Sequence, residues 1–150
     1  MNIALIEQTA EAASAGTLPF PTVVAQLVAA GVEYYHIDYV RHLQTCYSGA
    51  EEVHVLPLPF DVPGVAENFD AAALVAAIRD SQRRGQKFPD FGVRAAQAGV
   101  QGYTAFLRGQ RVVYQGRQGD QHIEWFPGAA PRPEMKARAG VSAAVGSFES

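Results

Sequence analysis

The chain has 150 residues, of which 48% are hydrophobic and 18% charged, which places it with globular domains and excludes a disordered polyelectrolyte. A net charge of −3, with basic residues scattered along the chain, argues against a protein that grips nucleic acid by its phosphates. The single cysteine, Cys46, excludes an internal disulfide framework and fits a reducing compartment.

The opening stretch MNIALIEQTAEAASAG has no basic leader and carries Glu7 and Glu11 within its apolar run. It reads as an amphipathic helix over about Ile3 to Ala15, and not as a signal peptide. No apolar run reaches the roughly 18 residues of a membrane span, so a cytoplasmic protein with no membrane partner is expected. A short helix follows, opened by Pro21, whose missing N–H is no loss in the first turn, and closed at Gly31, which can adopt a left-handed cap. Three strands are then expected, about Val32–Val40, Gln44–Ser48 and Glu52–Leu56.

From here the sequence repeats itself. FPTVVAQLVAAGVEYYH, from Phe20, returns 68 residues later as FPDFGVRAAQAGVQGYT, from Phe88. Phe20, Pro21, Ala30, Gly31, Val32, Tyr35 and His54 match Phe88, Pro89, Ala98, Gly99, Val100, Tyr103 and His122. Those seven identities over 35 positions compare with roughly two or three expected by chance. Tyr47-Ser48-Gly49 matches Tyr114-Gln115-Gly116 at an offset of 67, which suggests a shorter hairpin turn followed by a longer loop. The linker PLPFDVPG holds three prolines and is neither helix nor central strand. Asp70 then caps a second alanine-rich helix, about Ala71 to Arg83, with Gly85 as its stop. A helix opened by Pro89 and strands over about Val100–Leu107, Gln110–Gln115 and Gln121–Phe126 complete the second half.

The expected fold is α+β: two ααβββ repeats related by a pseudo-twofold axis, forming one antiparallel sheet with helices packed on one face. Repeat one spans about residues 1–56, the linker 57–64 and repeat two about 65–127, with a small-residue-rich tail over 128–150 outside the repeat. VAENFDAAALVAAIRDSQ, AAQAGVQGYTAFLRGQRVVYQGRQGD and HIEWFP together resemble the YbcV-like family of small bacterial proteins of unknown function. Some members of that family are labelled phage envelope proteins. The resemblance covers about Gly16 to Pro127. It implies a fold and a bacterial setting, and it supplies no catalytic residue.

Strand alternation puts Glu33, Tyr35, Ile37 and Tyr39 on one face of the first strand, and Val32, Tyr34, His36 and Asp38 on the other. The Tyr35/Tyr103 face is apolar in both halves and is assigned to the helix-packed core. The opposite face is aromatic enough to need a cover: a partner subunit, the tail or a ligand. His36 and Asp38 point the same way and could orient an imidazole or act as acid and base. His54 and His122 occupy equivalent places, and with Glu124 they are the candidates for a two-histidine, one-carboxylate metal set, although no recognised metal motif is present. Cys46 reads as a small buried hydrophobe, and GRQGD, from Gly116, as a turn with a local Arg117–Asp120 contact.

These residues support a non-catalytic small-molecule-binding or self-association module, a homo-oligomer with no cofactor, whose site gathers Tyr34, His36, Asp38, His54, His122 and Glu124 between the repeats. The alternatives are a His/carboxylate enzyme at the same place, with or without metal, and a phage-related structural protein.

Overall fold

A computed structural model describes residues 1–129; of the tail expected over 128–150, residues 130–150 lie outside the described residues. The elements follow the order ααβββ twice: α1 (Ile3–Ala15), α2 (Phe20–Ala29), β1 (Val32–Asp38), β2 (Leu43–Ser48) and β3 (Val53–Pro57), then α3 (Ala71–Arg84), α4 (Phe88–Gln97), β4 (Val100–Phe106), β5 (Arg111–Gly116) and β6 (Gln121–Trp125). Local chemistry sets the boundaries. Asn2 and Asp70 cap α1 and α3 by accepting from the backbone N–H of Leu5 and Ala73. Pro21 and Pro89 sit in the first turns of α2 and α4. Gly31 and Gly99 follow those helices with φ of 90° and 89°, the left-handed region that reverses the chain into β1 and β4.

The six strands form one antiparallel sheet in the order β3-β2-β1-β4-β5-β6. The seam between the repeats is the β1–β4 pair, in which Tyr35 faces Ala105, His36 faces Thr104 and Ile37 faces Tyr103. An offset of 68 converts His36 into Thr104, Tyr35 into Tyr103 and Ile37 into Ala105. A pseudo-twofold axis therefore passes through the His36–Thr104 pair, normal to the sheet. The same relation carries a bulge between Val32 and Tyr34 onto one between Val100 and Gly102. It also carries the positive φ of His42 (59°) onto that of Gln110 (59°).

Two details of the sequence reading are corrected. The offset is 68 throughout: Cys46 opposes His54 as Tyr114 opposes His122, so Tyr114 is the counterpart of Cys46 and not of Tyr47. A slip of one residue turns a strand's side chains to the other face, and the buried Tyr114 has no place on the outer face that Tyr47 occupies. The bulge likewise breaks the alternation at the start of β1, so that Val32 is buried with the core instead of sharing the face of Tyr34.

The four helices of the described residues all cover one face. Ile6, Leu27, Leu74, Ile78, Ala95 and Ala96 pack onto Tyr35, Ile37, Tyr39, Cys46, Leu56, Tyr103, Ala105, Val112 and Tyr114. Linker residues Leu58 and Val62 join this core, and the Phe60 ring meets Phe88 edge-on with centroids 5.1 Å apart. Arg117 does not contact Asp120 as expected; it reaches back to donate to the Val65 carbonyl at 3.3 Å. Among the described residues no helix is long and apolar enough to cross a membrane.

Candidate functional site

The sheet separates the six residues expected to share a site. Tyr34, His36 and Asp38 alternate with the core residues of β1 and face outward, on the side without helices. His54, His122 and Glu124 face the helices. His54 lies on β3 and His122 on β6, the two edges of the sheet. Five strand spacings put them roughly 24 Å apart. The axis lies at the centre, so equivalent residues on the outermost strands are driven apart, and the expected shared site does not form. Among the described residues no group of three or more His, Cys, Asp and Glu side chains stands close enough to hold a metal ion. The expected His54–His122–Glu124 metal set fails for the same reason.

Each histidine has its own surroundings. His36 meets Thr104 across the seam, Nδ1 to Oγ1 at 2.9 Å. Asp38, its expected partner, instead caps the following turn by accepting from the backbone N–H of Val40 and Arg41, both at 2.9 Å. Burial holds the His36 imidazole below its usual pKa of 6.5, against the opposing pull of Asp38. The His54 Nε2 lies 3.4 Å from Glu7 on α1, outside hydrogen-bond geometry. His122 donates through Nε2 to Glu124 Oε1 at 3.1 Å, and Arg79 on α3 donates to Glu124 Oε2 at 2.8 Å. Burial raises the Glu124 carboxyl, but these two donors outweigh it and hold its pKa below the usual 4.5.

On the outer face Tyr34 stacks on Tyr47 at 4.6 Å and on Phe106 at 5.9 Å, and the Arg111 guanidinium lies 5.0 Å from the centre of the Trp125 ring. The stacked rings are turned toward each other, so they make a ridge and not a flat platform for a base or a sugar. Val53, Val55 and Ile123 are 56%, 49% and 45% exposed on the same side.

A concavity lies on the other side, between the sheet and the helices. It has a volume of about 520 Å³ and straddles the axis. Residues related by the repeat line it in pairs: Ala10 with Ile78, Ala13 with Ser81, Phe20 with Phe88, Val23 with Phe91, Tyr35 with Tyr103 and Gln44 with Val112. The two interhelical loops, with Thr17 and Pro19 in one and Gly85 and Gln86 in the other, add to the wall, as do Phe126 and Pro127 after β6. Tyr35, Tyr103 and Tyr114 form the buried floor, with the Tyr103 and Tyr114 rings 5.1 Å apart. Burial pushes their hydroxyls above the usual phenol range, so all three are neutral donors and acceptors at physiological pH.

The two halves of the wall differ in polarity: Gln44 answers to Val112 and Ser81 to Ala13, and the one charged difference within the wall's interior is at Glu124. Leu56 and Tyr114 have as repeat counterparts Glu124 and Cys46, which places Tyr114 and Glu124 side by side on the half of the wall formed by repeat two. The sequence points to Glu124 for another purpose and to Tyr35 and Tyr103 as core alone. The signal that marks the pair is polarity at a position whose repeat counterpart is apolar. Cys46 is fully buried, with its thiol pKa raised by burial to about 11, and has no nucleophilic character. Neither the comparison with protein-family models nor that with curated proteins finds a match.

Proposed function

We propose that the protein is a non-catalytic binding module that takes a small, mainly apolar molecule into the cavity between its two repeats. The observation that carries this reading is the cavity at the pseudo-twofold axis, walled by equivalent residues of both halves. Its volume falls in the range of small-molecule sites, which is about 300–1,000 Å³, and its composition, apolar and aromatic with a few convergent polar groups, is typical of them. The resemblance to the YbcV-like proteins belongs to this proposal as a statement of kinship and adds no chemistry. A cytoplasmic setting also belongs to it, supported by the lone buried Cys46.

The test uses the fluorescent probe N-phenylnaphthylamine. The protein should bind it saturably with one site per chain, and Ala13→Trp, which fills the cavity, should abolish binding while leaving the circular dichroism spectrum intact. Absence of saturable binding, or binding unaffected by Ala13→Trp, would refute the proposal.

A second reading, self-association, rests on the sheet face that no described helix covers. That face carries the ridge of Tyr34, Tyr47 and Phe106 and the exposed Val53, Val55 and Ile123, with His36, Asp38, Arg111 and, at the bulge, Glu33 among them. A face-to-face twofold with its axis across the strands buries the ridge of Tyr34, Tyr47 and Phe106 against a second copy. Sedimentation velocity should then show a dimer that Tyr34→Glu dissociates; a monomer at high micromolar concentration rules this reading out.

A further inference from the structure

The cavity's carboxylate corner at Glu124 narrows the class of ligand, an inference that rests on the binding reading above. Leu56 in repeat one is buried and packs into the core, so the fold is served at that position by an apolar side chain. Its counterpart Glu124 is a carboxylate only 16% exposed, facing the helices. Burying an ionised carboxylate is costly unless every part of it is paired. Arg79 and His122 neutralise it from behind, through one hydrogen bond to each oxygen, yet neither of them lines the cavity, whereas Glu124 does. Each carboxylate oxygen has two acceptor sites and uses one, so Glu124 brings spare acceptor capacity to the cavity wall. Among the described residues the only other formal charge in the wall is Arg84, which stands exposed at the rim.

We propose that the ligand is an uncharged ring compound bearing an N–H or O–H donor that bonds to Glu124, and that anionic relatives of the same shape are excluded. The tyrosine floor supplies stacking surface and hydroxyls for a polar substituent on the ring system. Close-packed occupancy of about 520 Å³ corresponds to on the order of 15–20 non-hydrogen atoms, the size of two or three fused or linked rings. An anionic group placed there would meet the Glu124 carboxylate, and one placed deeper would lie among tyrosine and phenylalanine rings and neutral polar groups, out of reach of a cation because Arg84 stands at the rim.

Two probes with one skeleton test this. N-phenylnaphthylamine is neutral and carries an N–H donor; anilinonaphthalene sulfonate is the same amine with an anionic group. The wild-type protein should bind the neutral amine about tenfold or more tightly than the sulfonate. Glu124→Leu, which copies the side chain that repeat one folds with, should weaken the amine and bring the two probes to within about threefold of each other. Glu124→Gln, which keeps an acceptor but removes the charge, should hold the amine and admit the sulfonate. Equal binding of both probes by the wild type, or a preference that survives in Glu124→Leu, overturns the inference and leaves the binding reading standing, because the amine still binds and is still lost in Ala13→Trp. Failure of both probes to bind overturns the binding reading and this inference with it.

Discussion

Gly31→Ala and Gly99→Ala form an internally controlled pair, because the same backbone turn is built twice with different neighbours. Both glycines have φ close to +90°, and forcing an alanine into the left-handed region costs about 1–2 kcal/mol at either site. At Gly31 the nearest atom to an added Cβ is the Met1 Cα at 3.6 Å, an ordinary contact. At Gly99 the same Cβ would stand 2.4 Å from the Asn68 carbonyl oxygen and 2.8 Å from the Phe69 Cα. Those backbone atoms are pinned: Asp70 donates to the Ala98 carbonyl at 2.8 Å and Ala66 to that of Ala96 at 2.9 Å. Overpacking against atoms that cannot swing away adds about 1–3 kcal/mol. Gly31→Ala should therefore lose about 1–2 kcal/mol and Gly99→Ala about 2–5 kcal/mol. Urea unfolding followed by circular dichroism measures both, read as a shift in midpoint at constant slope. Equal losses would show that the segment before α3 does not clamp Gly99, and a larger loss at Gly31 would contradict the equivalence of the two turns.

Three further outcomes follow from the titrating groups. The folded pKa of Glu124 lies below 4.5, so its contribution to stability is present above pH 4.5 and is lost as pH falls through the folded value; acid titration of stability should be shallower below pH 4.5 in Glu124→Leu, and Arg79→Ala should move the loss to higher pH. His36 is held below 6.5 by burial, so its neutral form is the one the fold prefers. Its NMR titration midpoint should fall below 6.5, and its share of stability is present above that value and disappears as pH drops through the folded midpoint. Cys46 should resist a thiol reagent near pH 8 in the native protein and react freely in urea, since the thiol is buried and its pKa stands at about 11; rapid native labelling would show that β2 opens.

Most of the fold was legible because its signals are local and occur twice. Pro21 and Pro89, Gly31 and Gly99, and the cap at Asp70 each act within one turn of backbone, and the Tyr35/Tyr103 face was apolar in both halves. The misreadings have a geometric source. An offset of 67 for Tyr47 and Tyr114 matched letters and ignored the pleat, which forbids a tyrosine from changing faces without a bulge. The candidate site joined His54 to His122 because they are equivalent, yet equivalence about a central axis brings together only what lies near that axis. Tyr35 and Tyr103 do, and they line the cavity. The histidines sit at the rims, and strand order, which no short-range pattern encodes, decides that. The cavity itself was invisible because it is a gap between layers, set by where two interhelical loops come to rest.

The β1–β4 seam has a consequence for assembly. Every other strand pairing is a hairpin or short meander inside one repeat, while the seam joins residues 68 positions apart, as His36 does with Thr104. Each repeat on its own would present a bare strand along its whole inner side, open to any chain that can add to it. The covalent link keeps the correct mate at an effective concentration on the order of millimolar, so docking outcompetes strangers. A single proteolytic cut in the exposed stretch Pro63-Gly64 should leave a nicked protein that holds together when concentrated and sheds one half on dilution.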